Sequence, residues 1–321
     1  MKLYTDIFRQ SWHITKKQKA VWWFGLFALF LGGKGIDFES FFSSIKVLRM
    51  PFSPLRPDFW NMQQWNELFT LFGQSQYMIF LLILAVPLGM FLIYIMMVSQ
   101  IGLVDAFGAN AQQQDKNTEK KYLLEDALQT SRTHLPTVFA INVVSKVLSL
   151  LLLVVVSLPM FIGRVQFSQV AYSLLLFFIV APIIILISLI AKYAVNYAVL
   201  QNMQFRQAVV SGLQLFWHNV GVSIELAVLM FVGYFVVNIL AILGAALITL
   251  PVYVIGMIGA STFQQEIFLS LYALSMIVAL VILVFIFALI FSAWHFGNWT
   301  LLFLQLTKGN KQSKIYRLMN S

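Results

Sequence analysis

An all-α integral membrane protein with about six transmembrane helices is predicted by three observations. Hydrophobic residues make up 60% of the 321-residue chain and charged residues only 10%, with a mean hydropathy of +0.84. A soluble domain carries about 45–50% apolar and about 25% charged residues, so this chain cannot cover its outside with polar groups. The runs 147–163, 165–191 and 267–307 contain no Asp, Glu, Lys or Arg, and several exceed the roughly 18–20 residues that cross a bilayer. Finally, Lys and Arg fall mainly on one side of the predicted spans, as cytoplasmic segments require.

Apolar runs bounded by charge or turn residues place the spans near 20–33, 77–104, 137–163, 172–191, 220–250 and 267–292. The first is short: its helical rise is about 21 Å against roughly 30 Å of hydrocarbon. It is expected to be a retained span and not a signal peptide. "LFLGGKGIDF" lacks a small-residue cleavage site, Lys19 and Lys34 can snorkel to opposite interfaces, and Trp22 and Trp23 suit an aromatic belt. Pro87, Pro159 and Pro182 lie within spans and are expected to kink them.

With these spans, fifteen Lys and Arg fall on the side of both termini and five on the other, while Lys146 lies inside a span. The expected location is therefore the inner (plasma) membrane, multi-pass, with both termini cytoplasmic. The net charge of +9 follows from that bias and from attraction to anionic lipid. No nucleic-acid partner is expected, for no recognition-helix or aromatic-interleaved basic pattern is present. Cysteine is absent, which excludes disulfides, thiolate metal sites and cysteine nucleophiles.

A pattern precedes three of the spans: "DIFRQSWHITKK" from Asp6, "DALQTSRTHLPT" from Asp126 and "QAVVSGLQLFWH" from Gln207. A small residue, Ser11, Ser131 or Gly212, follows five positions after each start. Helical spacing sets Ile7, Ser11 and Ile14 on one face, and likewise Ala127, Ser131 and Leu135. Each lead-in reads as an interfacial amphipathic helix, and the chain parses as three repeats of interfacial helix plus helical hairpin. The plainer reading is that any six-span protein needs short amphipathic connectors.

The single membrane domain, 1–321, then carries an outer amphipathic insertion at 34–76, a cytoplasmic connector with an interfacial helix at 105–136, and a basic cytoplasmic tail at 308–321. Within the insertion, Pro51, Pro54 and Pro57 read as a stiff connector between two amphipathic helices.

Ionisable residues inside spans are the first candidates for function. Lys146 lies ten residues after Pro136, and Glu225 six after Asn219, at similar shallow depth on different helices. An intramembrane ion pair between Lys146 and Glu225 is expected, against the simpler possibility that Lys146 snorkels to headgroups and Glu225 is protonated or wetted. His13, His134, His218 and His295 show no ligand spacing, so no metal is expected. Asn142 and Asn238 are expected to bond between helices, and "AWHFGNW" at 293–299 to form an aromatic-belt exit. "GGKG" at 32–35 is no P-loop, and no nucleophile elbow occurs. No catalytic residue and no cofactor are expected.

"DIFRQSWHITKKQKAVWWFGLFALFLGG" and "FRQAVVSGLQLFWHNVGVSI" resemble a diffuse group of bacterial six-span membrane proteins of unknown function. That group is similar to the membrane domain fused to some glycerophosphodiester phosphodiesterases. The resemblance implies no catalytic residues, and the chain has no soluble stretch of the roughly 250 residues a barrel phosphodiesterase needs. The expected role is a non-catalytic membrane protein in membrane organisation or as a partner subunit. Its expected partners are membrane lipids and another membrane protein. The alternative is a small transporter or lipid-handling permease with a path between the repeats.

Overall fold

The structure, a computed structural model, describes residues 2–29, 76–113, 122, 124–161, 167–260 and 265–308. Among these, the regular elements are helices: α1 (Lys2–Lys17), α2 (Lys19–Leu29), α3 (Gln76–Gln113), α4 (Leu124–Phe161), α5 (Phe167–Leu200), α6 (Phe205–His218), α7 (Val220–Ala260) and α8 (Gln265–Thr307). Four contain stretches long and apolar enough to cross a membrane: Ile83–Ala111, Leu124–Val156, Leu174–Leu200 and Val220–Val237. The expected first span begins in α2, and residues 30–33 lie outside the described residues. So do 34–75 of the outer insertion and 309–321 of the basic tail. The sixth expected span lies on α8, a helix of 43 residues.

Long apolar runs become helices because lipid offers backbone groups no hydrogen bonds, and a helix satisfies them within the segment. The chain stays helical through Pro87, Pro182 and also Pro251. The expected connector 105–136 is helical at both ends, since α3 runs on to Gln113 and α4 starts at Leu124. The second lead-in and its span are thus one continuous helix through Pro136.

The turn from α5 to α6 has a specific cause. Asn202 adopts φ 55°, a left-handed conformation that asparagine tolerates better than most residues. The Met203 N–H donates to the Tyr197 carbonyl at 3.4 Å, which also accepts from the Gln201 N–H at 3.1 Å, so a carbonyl at the helix end is satisfied across the turn. The chain then reverses, and α6 lies back along α5. Gly212 makes this approach possible: a Cβ there would come within 2.9 Å of the Ala194 backbone nitrogen and 3.2 Å of the Ile190 carbonyl oxygen.

The core is concentrated at the end of the bundle that holds α1, α6 and the last turns of α8. Phe107, Tyr193, Phe216, Leu226 and Phe303 are fully buried there. Towards the other end the apolar side chains face outward, as at Met90, Leu150, Phe178, Phe235 and Leu247. A soluble protein could not sustain such exposure; lipid tails accept it at little cost.

Each lead-in seats on a helix that returns to this end. Helix α1 lies on α8, where the Ser11 hydroxyl donates to the Trp294 carbonyl at 3.0 Å and Phe8 meets the Trp294 ring at 5.3 Å. The start of α4 lies on α3, with Ala127 buried among Leu103, Ala106 and Phe107. Helix α6 lies on α5 through Gly212. Positions 120 and then 81 residues apart in sequence are each buried: Ile7, Ala127 and Ala208; Ser11, Ser131 and Gly212; Val21, Ile141 and Val222. Gln18 and Asn219, which separate α1 from α2 and α6 from α7, hold the same register.

Candidate functional site

Helix α4 presents Asn142, Ser145, Lys146 and Ser149 at intervals of three and four residues, which aligns them on one face. That face borders a polar cleft of about 50 Å³, closed by Gln100 of α3, Ser188 and Lys192 of α5 and Phe296 of α8. The volume suits a few water molecules or a small polar group. Asn142 fixes one wall, its amide donating to the Gln100 side-chain oxygen at 2.7 Å and to the Val138 carbonyl at 2.9 Å. The bond across helices expected of Asn142 is thus made to α3. Asn238 has a side chain outside the described ones.

Lys192 is held from the far side. Its ammonium lies 3.4 Å from His295 Nε2 and 4.7 Å from the centre of the Trp299 ring. An ammonium only donates, so the imidazole nitrogen accepts, and the aromatic face adds a cation–π attraction. His295 and Trp299 are buried. The segment 293–299 is therefore core and not an aromatic belt: Gly297 lets α8 close on Ser11 and Phe107, and that contact draws its neighbours inward.

The two sequence-predicted residues have different surroundings. Lys146 is exposed at the mouth of the cleft. Glu225, on α7, accepts a hydrogen bond from the Tyr4 hydroxyl of α1. One helical turn of α7 carries that contact and a second, between Ser223 and Tyr193 of α5 at 2.8 Å. Lys146 and Glu225 stand out in sequence because they are charged within expected spans; Lys192 directly follows the uncharged run 165–191 and does not stand out from the other Lys and Arg on the side of the termini. The polar stripe on α4 was legible in its spacing; Gln100, Ser188 and His295 became neighbours only by folding.

A separate polar joint ties α3 to the lead-in of α4. Asp105 accepts from the Tyr122 and Thr130 hydroxyls, both at 2.7 Å. Burial, then the charge of Asp105, pushes the Tyr122 phenol above the usual tyrosine range; burial, then the bond to Glu225, does the same for Tyr4. In the unfolded chain both titrate near pH 10. The folded state keeps these protons longer, so their contribution is complete below about pH 10 and declines as pH rises beyond it. Thermal unfolding in detergent is expected to show stability falling above about pH 10, and Y4F/Y122F is expected to flatten that slope. An unchanged slope in the double variant would show that neither phenol carries the dependence.

The chain matches no family model, and no curated protein or solved structure shows significant similarity to it.

Proposed function

We propose that this chain is a six-span protein of the inner membrane that has no catalysis of its own and organises lipids or membrane partners around it. In this reading α2 and α8 complete a six-helix set with α3, α4, α5 and α7. Three units, each a lead-in, an outgoing helix and a returning helix, close into a ring, because every lead-in seats on the returning helix of the unit before it. The shared register of buried positions at spacings of 120 and 81 residues supports the repeat. The excess of Lys and Arg on the lead-in side supports a cytoplasmic lead-in end with both termini cytoplasmic.

The polar cleft carries the functional reading. It lies on a body otherwise clad in exposed apolar side chains, and it brings two lysines to one place. Purification of the full chain in a mild detergent is expected to retain anionic lipid or a second membrane component. A lipid-free, solitary monomer would count against the proposal.

A second reading, a lipid-handling permease, draws on one further observation. On the helices flanking the cleft, Asn196 Oδ1 of α5 and Ser292 Oγ, Asn298 Oδ1 and Trp299 Nε1 of α8 are buried without a hydrogen-bond partner among the described residues. Such atoms favour water or a passing polar group. Vesicles with a fluorescent phospholipid in both leaflets test this: a permease exposes the inner pool to an external quencher faster than protein-free vesicles do. Equal protection of the inner pool would retire the permease reading.

A further inference from the structure

We propose that the cleft between α3, α4, α5 and α8 is a binding site for the phosphate of an anionic phospholipid headgroup, with Lys146 and Lys192 as its cationic contacts. The inference rests on the lipid-engaging reading above and gives it a ligand class.

The cleft's chemistry selects the ligand. Its ten lining residues include two lysines and no carboxylate, with serines, Gln100 and Asn142 supplying the remaining polar groups. Two ammonium groups at one small opening repel a metal cation and attract an anion. No carboxylate or histidine is among the lining residues, the groups that proton relays in membranes most often use. Serine hydroxyls can donate to phosphate and ester oxygens, as phosphate recognition commonly requires.

The surroundings select the source. Lys146 is the last charge before the uncharged run 147–163, and Lys192 the first after the uncharged run 165–191. Each lysine therefore closes an uncharged run of the bundle, a position from which an ammonium on a long side chain reaches the phosphates of the leaflet by snorkelling. The mouth is flanked on α4 by exposed Val143, Val147 and Leu150, so a ligand reaches Lys146 from the lipid side. His295 and Trp299 hold Lys192 at the inner wall, which reduces the ordering needed when an anion arrives.

The test uses the full chain in mild detergent, exposed to an equal mixture of phosphatidylglycerol and phosphatidylcholine, with bound lipids counted by native mass spectrometry. Wild type is expected to retain phosphatidylglycerol in preference. K146Q and K192Q are each expected to weaken that binding about tenfold, and K146R/K192R to keep the preference. Lys146 is exposed, so K146Q tests the site without disturbing the core even if K192Q fails to fold. Wild-type retention of phosphatidylglycerol by K146Q would overturn the proposal. Wild type that binds both lipids equally would remove the site and leave the lipid-engaging reading; binding of neither would remove both. Millimolar inorganic phosphate distinguishes the sources: failure to displace phosphatidylglycerol supports the lipid ligand, and phosphate bound in its place would overturn that assignment.

Discussion

Substitution of Gly212 by leucine is expected to lift α6 off α5 and lower the unfolding temperature of the purified chain by about 5 °C. The position has no room for a side chain. Even a methyl group would press on the Ala194 nitrogen at 2.9 Å and its Cα at 3.2 Å. These are backbone atoms inside a helix, so they cannot swing aside as a side-chain tip would. Overpacking of this kind costs about 1–3 kcal/mol, and leucine should fall at the upper end. The opposite face supplies the control, since Val210 and Leu213 are exposed and V210L should unfold with wild type. Gly212→Ala should fall between the two. Should G212L melt with wild type, the close seat of α6 on α5 is not what holds this end of the bundle together.

Single cysteines at Asn61 and Asn310 are expected to react from opposite sides of the membrane. The natural chain has no cysteine, so each introduced thiol would be the sole target of a membrane-impermeant maleimide. N61C should label in intact cells, and N310C only after permeabilisation. The expectation turns on α2, because a crossing there places residue 61 on the far side from residue 310. Packing supports that crossing: Val21, Phe24 and Ala28 are buried in one cluster with Ala293 of α8 and Phe107 of α3. Charge favours it as well: with six crossings, fifteen Lys and Arg fall on one side and five on the other. Labelling of both cysteines from the same side would mean that α2 does not cross, and the ring of three units would fail with it.

Helical class and the need for a lipid environment were legible in composition, because an apolar exterior can persist only where lipid replaces water. Span boundaries were less so. The lead-in from Asp126 reads as an interfacial helix ahead of a span at 137–163, yet the two form one unbroken helix, α4. The small residues Ser11, Ser131 and Gly212 were visible as a spacing, but the helix under each was not, since those contacts reach across 283 residues in the case of Ser11 and Trp294. Within the candidate site, Lys146 was legible as a charge within an apolar run. Lys192 escaped because a lysine at the end of such a run resembles an ordinary anchor. Its importance came from Trp299 and His295, more than a hundred residues onward in sequence. Sequence periodicity reports which face of a helix is apolar; it does not report which helix that face meets.

Helix α4 passes from lead-in to span without a break, whereas Gln18 separates α1 from α2 and Asn219 separates α6 from α7. A helix that stays continuous, as α4 does through Pro136, transmits a tilt more directly than one interrupted at a joint. Tilting the part of α4 bonded to Asp105 through Thr130 would therefore tilt the wall that bears Lys146, sixteen residues and about 24 Å along the same helix. The first and third arms can absorb a comparable push at their joints. In the proposed three-unit arrangement, the middle arm is the lever through which a force applied at the membrane surface would reach the opening of the cleft.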